Sequence, residues 1–175
     1  IAPAMDCVAS FMRAGAHAVK LEGLKGHEEV IARIVDSGVP VMGHLGLTPQ
    51  SVRKYGGYKL QGVERSAARD ILRQAKQLED LGCFAVVLEC IPAALAKEAT
   101  RGLKIPTIGI GAGPDTDGQV LVLTDLLGLG PGPGFKFVRR YLDGRRLFTE
   151  ALNKYDADTK AGAFPAAAES FRCRS

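Results

Sequence analysis

Little in this sequence is concentrated, and each shortage removes a class of function. Aromatic residues make up 6% of the 175 positions, and 23 Lys and Arg against 19 Asp and Glu leave a net charge of only +4. The basic residues are scattered apart from Arg139-Arg140 and Arg145-Arg146. Without a basic surface interleaved with aromatics, a dedicated nucleic-acid binder is not expected. No apolar run reaches the roughly 18 residues of a membrane span. No charged-then-apolar leader is present, so the expectation is a cytoplasmic protein with no membrane partner. Cys7, Cys83, Cys90 and Cys173 are dispersed and form no C-x-x-C pair. That spacing speaks for thiols in a reducing compartment and against a zinc site or a disulfide framework.

What is present is a core and an alternating pattern. A hydrophobic fraction of 46% in a chain of this length suits one domain with one core. Met5, Val8, Ala9 and Met12 make a helical stripe that Gly15 ends. Ala18 to Glu22 reads as a strand, Val30 to Val35 as a helix stopped by Gly38, and Val39 to Leu45 as a second strand. Gly46 to Glu64 is a long irregular segment of the kind that often carries function. Ala68, Ile71, Leu72, Ala75, Leu78 and Leu81 define the clearest helix, with Ser66 as the expected N-cap and Gly82 as its stop. Phe84 to Glu89 is a buried strand. Pro92 suits the first turn of the next helix, through Leu95, Ala96 and Ala99. Ile105 to Ile110 and Gln119 to Thr124 read as two further strands. Gly128 to Gly134 reads as a loop, Leu147 to Tyr155 as a terminal helix, and the residues from Lys160 as a loosely ordered tail. Strand and helix in alternation imply an α/β fold on a parallel sheet.

Two strands share one construction. Gly15, Ala18, Val19, Leu21 and Glu22 align with Gly82, Ala85, Val86, Leu88 and Glu89, so each strand closes on a glutamate. Such sheets place their chemistry at the carboxyl ends of the strands. Glu89, flanked by apolar residues, is partly desolvated and suits a general base, although a helix cap or ion pair would also explain it. Lys20 and Glu22 are two apart and so share a face. Together they could hold an oxyanion and a divalent cation, or simply pair with each other. His44 closes another strand, with a structural and a chemical reading both open. Gly109 to Gly113 is glycine-rich but lacks the G-x-G-x-x-G spacing, and a tight turn explains it as well as a phosphate contact does.

At this point six segments resemble one family, ketopantoate hydroxymethyltransferase. They are V-K-L-E-G (19–23), G-H-L-G-L-T-P-Q (43–50), G-G-Y-K-L-Q-G (56–62), V-L-E-C-I-P (87–92), I-P-T-I-G-I-G-A-G (105–113) and D-G-Q-V-L-V (117–122). The resemblance implies a (β/α)8 TIM barrel of the phosphoenolpyruvate/pyruvate type, of which this chain would hold strands 4–8 with their helices. Residues 1–128 would be the C-terminal portion of that barrel, and 129–175 a loop, helix and tail of the same domain. It implies transfer of a hydroxymethyl group from 5,10-methylenetetrahydrofolate to 3-methyl-2-oxobutanoate, giving 2-dehydropantoate on the way to pantothenate, with Mg2+ on the keto acid. Carried over by motif, Glu89 is the catalytic base, Lys20 contacts the substrate, Glu22 belongs to the metal shell, and His44 lies nearby. The family forms homo-oligomers (decamers), so further copies are the expected partners beside the small-molecule substrates.

The chain departs from the family at its start, which falls at Ile1 inside a helical pattern. The family's first three strands, with a D-S pair and a second aspartate, have no counterpart here. The expectation is therefore that this chain alone is poorly active or inactive. Two alternatives stand beside it. One is a non-catalytic fragment that co-assembles with full-length subunits. The other is a magnesium-dependent 2-oxo acid barrel of the phosphoenolpyruvate mutase and isocitrate lyase kind.

Overall fold

The computed structural model describes residues 1–54, 56–132 and 134–172. Cys173, one of the dispersed cysteines, lies outside them. Chain contacts divide the molecule into two units, 1–120 and 121–175.

The first unit is the α/β layer that the alternation predicts. In order it holds α1 (Ala2–Arg13), β1 (Val19–Glu22), α2 (Glu28–Asp36), β2 (Val41–Gly46), α3 (Arg65–Asp80), β3 (Ala85–Glu89), α4 (Ala93–Gly102), β4 (Thr107–Ile110) and the two-residue β5 (Gly118–Gln119). All five strands are parallel, and their order across the sheet is their order in the chain. A sheet wound in one direction without a reversal is the wall of a barrel rather than a doubly wound sheet, whose strand order turns back at a switch point.

One face of this sheet carries the core. Val19, Val41, Leu45, Val86 and Leu88 pack against Val8 of α1, Ile31 and Ile34 of α2, Ile71, Ala75 and Leu78 of α3, and Leu95, Ala96 and Ala99 of α4. Fully burying a residue such as Ile34 or Leu78 contributes roughly 1.5–3 kcal/mol. The glycines expected to end the first three helices, Gly15, Gly38 and Gly82, all have positive φ. Cys83 is buried, and desolvation pushes its thiol up to about 11. Cys7 and Cys90 are also free thiols.

Three local expectations need correction. The strand expected over Gln119 to Thr124 is only Gly118–Gln119, and residues 123–126 form a short helix, α5 (Leu123–Leu126). β5 is the sheet edge, so after Val120 N–H reaches the Gly109 carbonyl no ladder holds the chain extended. A short apolar run alone does not make a strand without a neighbour. Ser66 is not the N-cap of α3. Glu64 is extended and its carbonyl accepts the Ala68 N–H, so Ser66 already lies inside the first turn. Pro92 stands one residue before α4, as its N-cap residue.

Asp117 fixes the start of β4 from within this unit. Its Oδ2 accepts the Thr107 N–H at 2.8 Å and the Thr107 hydroxyl lies 3.0 Å away, while Thr107 is itself fully buried and 2.8 Å from the Thr100 hydroxyl.

The second unit holds α5 and α6 (Gly144–Lys160). Leu127 carbonyl accepts the Gly144 N–H, and the Leu126 carbonyl accepts that of Tyr141. The segment after α6 folds back on it, with the Phe164 ring edge-on to Tyr155 at 5.5 Å. Leu147, Phe148, Leu152 and Tyr155 are exposed.

Candidate active site

The two glutamates close β1 and β3 at the same end of the sheet. Strand register sets Glu22 beside His44 and Gly46 beside Glu89. Alternate residues of a strand share a face, and the core residues of β1–β3 have the opposite parity. Lys20, Glu22, His44 and Glu89 therefore share the face that the helices do not cover.

His44 stands between the two carboxylates. It is 1% exposed, with Nε2 3.0 Å from Glu89 Oε2 and Nδ1 3.9 Å from Glu22 Oε1. Neither approach is aligned for a hydrogen bond, so both ring nitrogens are buried without one among the described residues. Buried polar atoms are normally satisfied, because an unmade bond costs about 1–3 kcal/mol.

The backbone of the G-H-L-G-L-T-P-Q segment ties both glutamates down. Gln50 N–H donates to Glu22 Oε2 at 3.0 Å, and Leu47 N–H donates to the Glu89 carbonyl at 2.8 Å. Gln61 N–H, from the second glycine-rich segment, donates to the Cys90 carbonyl at 2.8 Å. Both glycines of G-H-L-G have a physical reason. Gly46 has φ +91°, and a Cβ there would lie 2.1 Å from the Glu89 carbonyl oxygen. Gly43 faces the core, where a Cβ would lie 2.6 Å from Leu78 Cδ1. Cys90, just past Glu89, has φ +48°, a left-handed conformation unusual outside glycine. Its thiol is raised by burial and by the charge of Glu89.

Lys20 lies two residues back along the same face. It is exposed and makes no ion pair with Glu22, so the structural-pair alternative is not realised among the described residues. Of the glycine-rich Gly109 to Gly113 stretch, Gly109 and Ile110 end β4 and the chain bends only from Gly111. Gly111 and Gly113 have positive φ, and a Cβ at Gly113 would lie 2.4 Å from that of Ala93.

Sequence reading did not find the cavity beside Glu22. It measures about 400 Å³ and is lined by Lys25, Lys54, Gln61, Asp70 and Gln74 as well as Glu22. Lys25 Nζ lies 2.7 Å from Asp70, and this contact, more than the one with Arg73, holds the Asp70 carboxyl below its ordinary range despite burial. Nothing in the linear pattern joins Lys25 to Asp70. The unexplained specificity of residues 43–62 was the available signal.

Magnesium takes oxygen ligands, commonly one or two carboxylates completed by water and substrate oxygens. Glu22 fits one such ligand, since Oε1 accepts no hydrogen bond while Oε2 is held by Gln50. The described residues hold no cluster of three or more His, Cys, Asp or Glu that could form a closed protein cage. No helix among them is long and apolar enough to cross a membrane.

Comparison with known proteins agrees with the motifs. Residues 1–167 match the family model of ketopantoate hydroxymethyltransferase. A 3-methyl-2-oxobutanoate hydroxymethyltransferase from Francisella tularensis subsp. tularensis is 55% identical over 161 residues, which are 92% of this chain and 61% of that protein. The enzyme of the same name from Bdellovibrio bacteriovorus is 56% identical over 167 residues, 95% of this chain and 64% of its own. The chain thus spans less than two thirds of the length of the curated relatives it matches. Among solved structures, the YdjI aldolase from Escherichia coli K12 matches with a TM-score of 0.40 at 16% identity, over 70% of this chain and 50% of that one. That likeness is too distant to bear on the fold.

Proposed function

Because the chain belongs to the ketopantoate hydroxymethyltransferase family, we propose that it carries the base-bearing part of the site that converts 3-methyl-2-oxobutanoate to 2-dehydropantoate. The one-carbon donor in this reading is 5,10-methylenetetrahydrofolate. The observation that carries it is the convergence of Glu22, His44 and Glu89 at one end of the sheet, on its uncovered face.

In this reading Glu89 takes the proton from the carbon next to the keto group. That carbon bonds to the donor's methylene carbon as one methylene–nitrogen bond breaks, and water then replaces the second folate nitrogen, leaving the hydroxymethyl group and tetrahydrofolate. A carboxylate 14% exposed, whose side chain accepts no aligned hydrogen bond, is free to accept a proton. Lys20, a cation on the same face with no ion-pair partner among the described residues, would hold the substrate carboxylate. Glu22 would hold Mg2+, which when bound draws electron density from the keto oxygen and acidifies the neighbouring carbon. Gln50 N–H keeps the Glu22 carboxylate turned for that task.

Among the described residues the chain would bring one carboxylate, Glu22, to the metal, and no further strand pairs with β1 or β5 at the sheet edges. We therefore propose that it turns over far more slowly than a protein extended at its N-terminus to the length of the relatives. Assembly with further copies is part of the same reading, supported by the exposed Leu147, Phe148, Leu152 and Tyr155 of α6. The test is formation of 2-dehydropantoate by the 175-residue chain and by the extended protein, each with Mg2+ and methylenetetrahydrofolate. The reading expects product from the extended protein, dependence on folate, and little from the short chain. Folate-independent turnover would favour another 2-oxo acid enzyme, and no product from the extended protein would refute the reading.

A further inference from the structure

We propose that His44 is a positioning residue that keeps the carboxylate of Glu89 apart from that of Glu22, so that one serves as base while the other serves the metal. The inference rests on the functional reading above but concerns what holds the two glutamates to their separate tasks, a role that neither the motifs nor the relatives assign to His44.

The sheet register creates the problem that His44 solves. Glu22 and Glu89 sit on β1 and β3, the two neighbours of β2, and point to the same face. The β2 residue directly beside Glu89 is Gly46, which has no side chain to intervene. The imidazole of His44 reaches toward both carboxylates from β2, with Nε2 3.0 Å from Glu89 Oε2 and Nδ1 3.9 Å from Glu22 Oε1. Two carboxylates that converge on one space from either side of β2 could otherwise close on a single divalent cation. A base drawn into such a chelate would lose the free oxygen it needs.

The burial of His44 makes it suited to this role. At 1% exposure the ring is fixed by its surroundings rather than by solvent. Its nitrogens make no competing hydrogen bond to the backbone or to any other described side chain. Among the described residues the ring nitrogens pair with the two glutamates alone, as a spacer between them would.

The experiment uses the extended protein and compares His44→Ala, His44→Asn and His44→Gln, each also combined with Glu89→Gln. Two quantities are read. One is exchange of the substrate's C3 proton with deuterated water in the absence of folate, which isolates the base step. The other is the Kd for Mn2+ alone, from the signal of the free ion. Loss of the spacer should lower the exchange kcat by about 100-fold in His44→Ala, with KM for the keto acid within about threefold. It should also tighten Mn2+ by about tenfold, a gain that Glu89→Gln abolishes. His44→Gln, long enough to fill the gap, should restore both toward the parent. His44→Asn, too short to fill it, should behave like His44→Ala and serves if the alanine variant does not fold. Unchanged or weaker Mn2+ binding in both short variants, or exchange within about twofold of the parent, overturns the proposal. If the parent shows no exchange at all, the functional reading falls while the Mn2+ titration still decides whether His44 separates the carboxylates.

Discussion

On the face of the sheet that meets the helices, β1–β3 present Val19, Val41, Leu45, Val86 and Leu88, each less than a tenth exposed and packed on α1–α4. On the other face the same strands present Lys20, Glu22, His44 and Glu89. One backbone alternation thus carries the core on one side and the proposed chemistry on the other. Substitutions on the first face should cost folding, and substitutions of Lys20, Glu22 and Glu89 on the second should cost function while leaving folding nearly unchanged.

The sharpest way to break that separation is at Gly46, which belongs to both. Gly46→Ala forces a Cβ against the Glu89 carbonyl at a left-handed φ. It should destabilise by about 2–5 kcal/mol and displace Glu89 as well, read as a loss of urea midpoint together with a loss of proton exchange. On the core face alone, Leu78→Ala removes a fully buried side chain packed over Gly43. It should cost about 2–4 kcal/mol in denaturant unfolding, with substrate KM unchanged in whatever fraction stays folded. On the open face alone, Lys20→Ala should stay within about 0.5 kcal/mol of the parent in stability while raising KM for the keto acid.

The smallest effect lies at Glu79 on the outer end of α3, away from both faces. Its carboxylate pairs with Lys76 and accepts the N–H groups of Lys104 and Ile105. The Lys76 contact first, then the backbone donors, lower its pKa from the ordinary 4.5. A lowered folded value means the stabilisation is full above about pH 4.5 and drains away as pH falls through that folded value. The stability gap between the parent and Glu79→Gln should therefore be open at pH 7 and closed in strong acid.

The same contrast explains what could be read from the sequence. The core face was legible because helical stripes such as Ala68, Ile71, Ala75 and Leu78 and the glycine stops after α1, α2 and α3 state their periods openly. Glu22 and Glu89 were legible as candidates because each closes an apolar strand. Gln50 was not, since its role is one backbone N–H acting across 28 residues, which no side-chain pattern records. The ion pair of Lys25 with Asp70 is hidden in the same way. The expected strand over Gln119 to Thr124 failed because its apolar run has no ladder partner past the two residues of β5. His44 was visible as a residue but not as a spacer, because that depends on Gly46 being empty beside Glu89.

The central claim is that Glu89 is the base on the open face. Its most direct test is the rate of C3 proton exchange from 3-methyl-2-oxobutanoate into deuterated water, with Mg2+ and without folate, for the extended protein and its Glu89→Gln variant. The account predicts a fall of about 10²–10⁴-fold with an unchanged Tm. Exchange in Glu89→Gln at the parent's rate would contradict it.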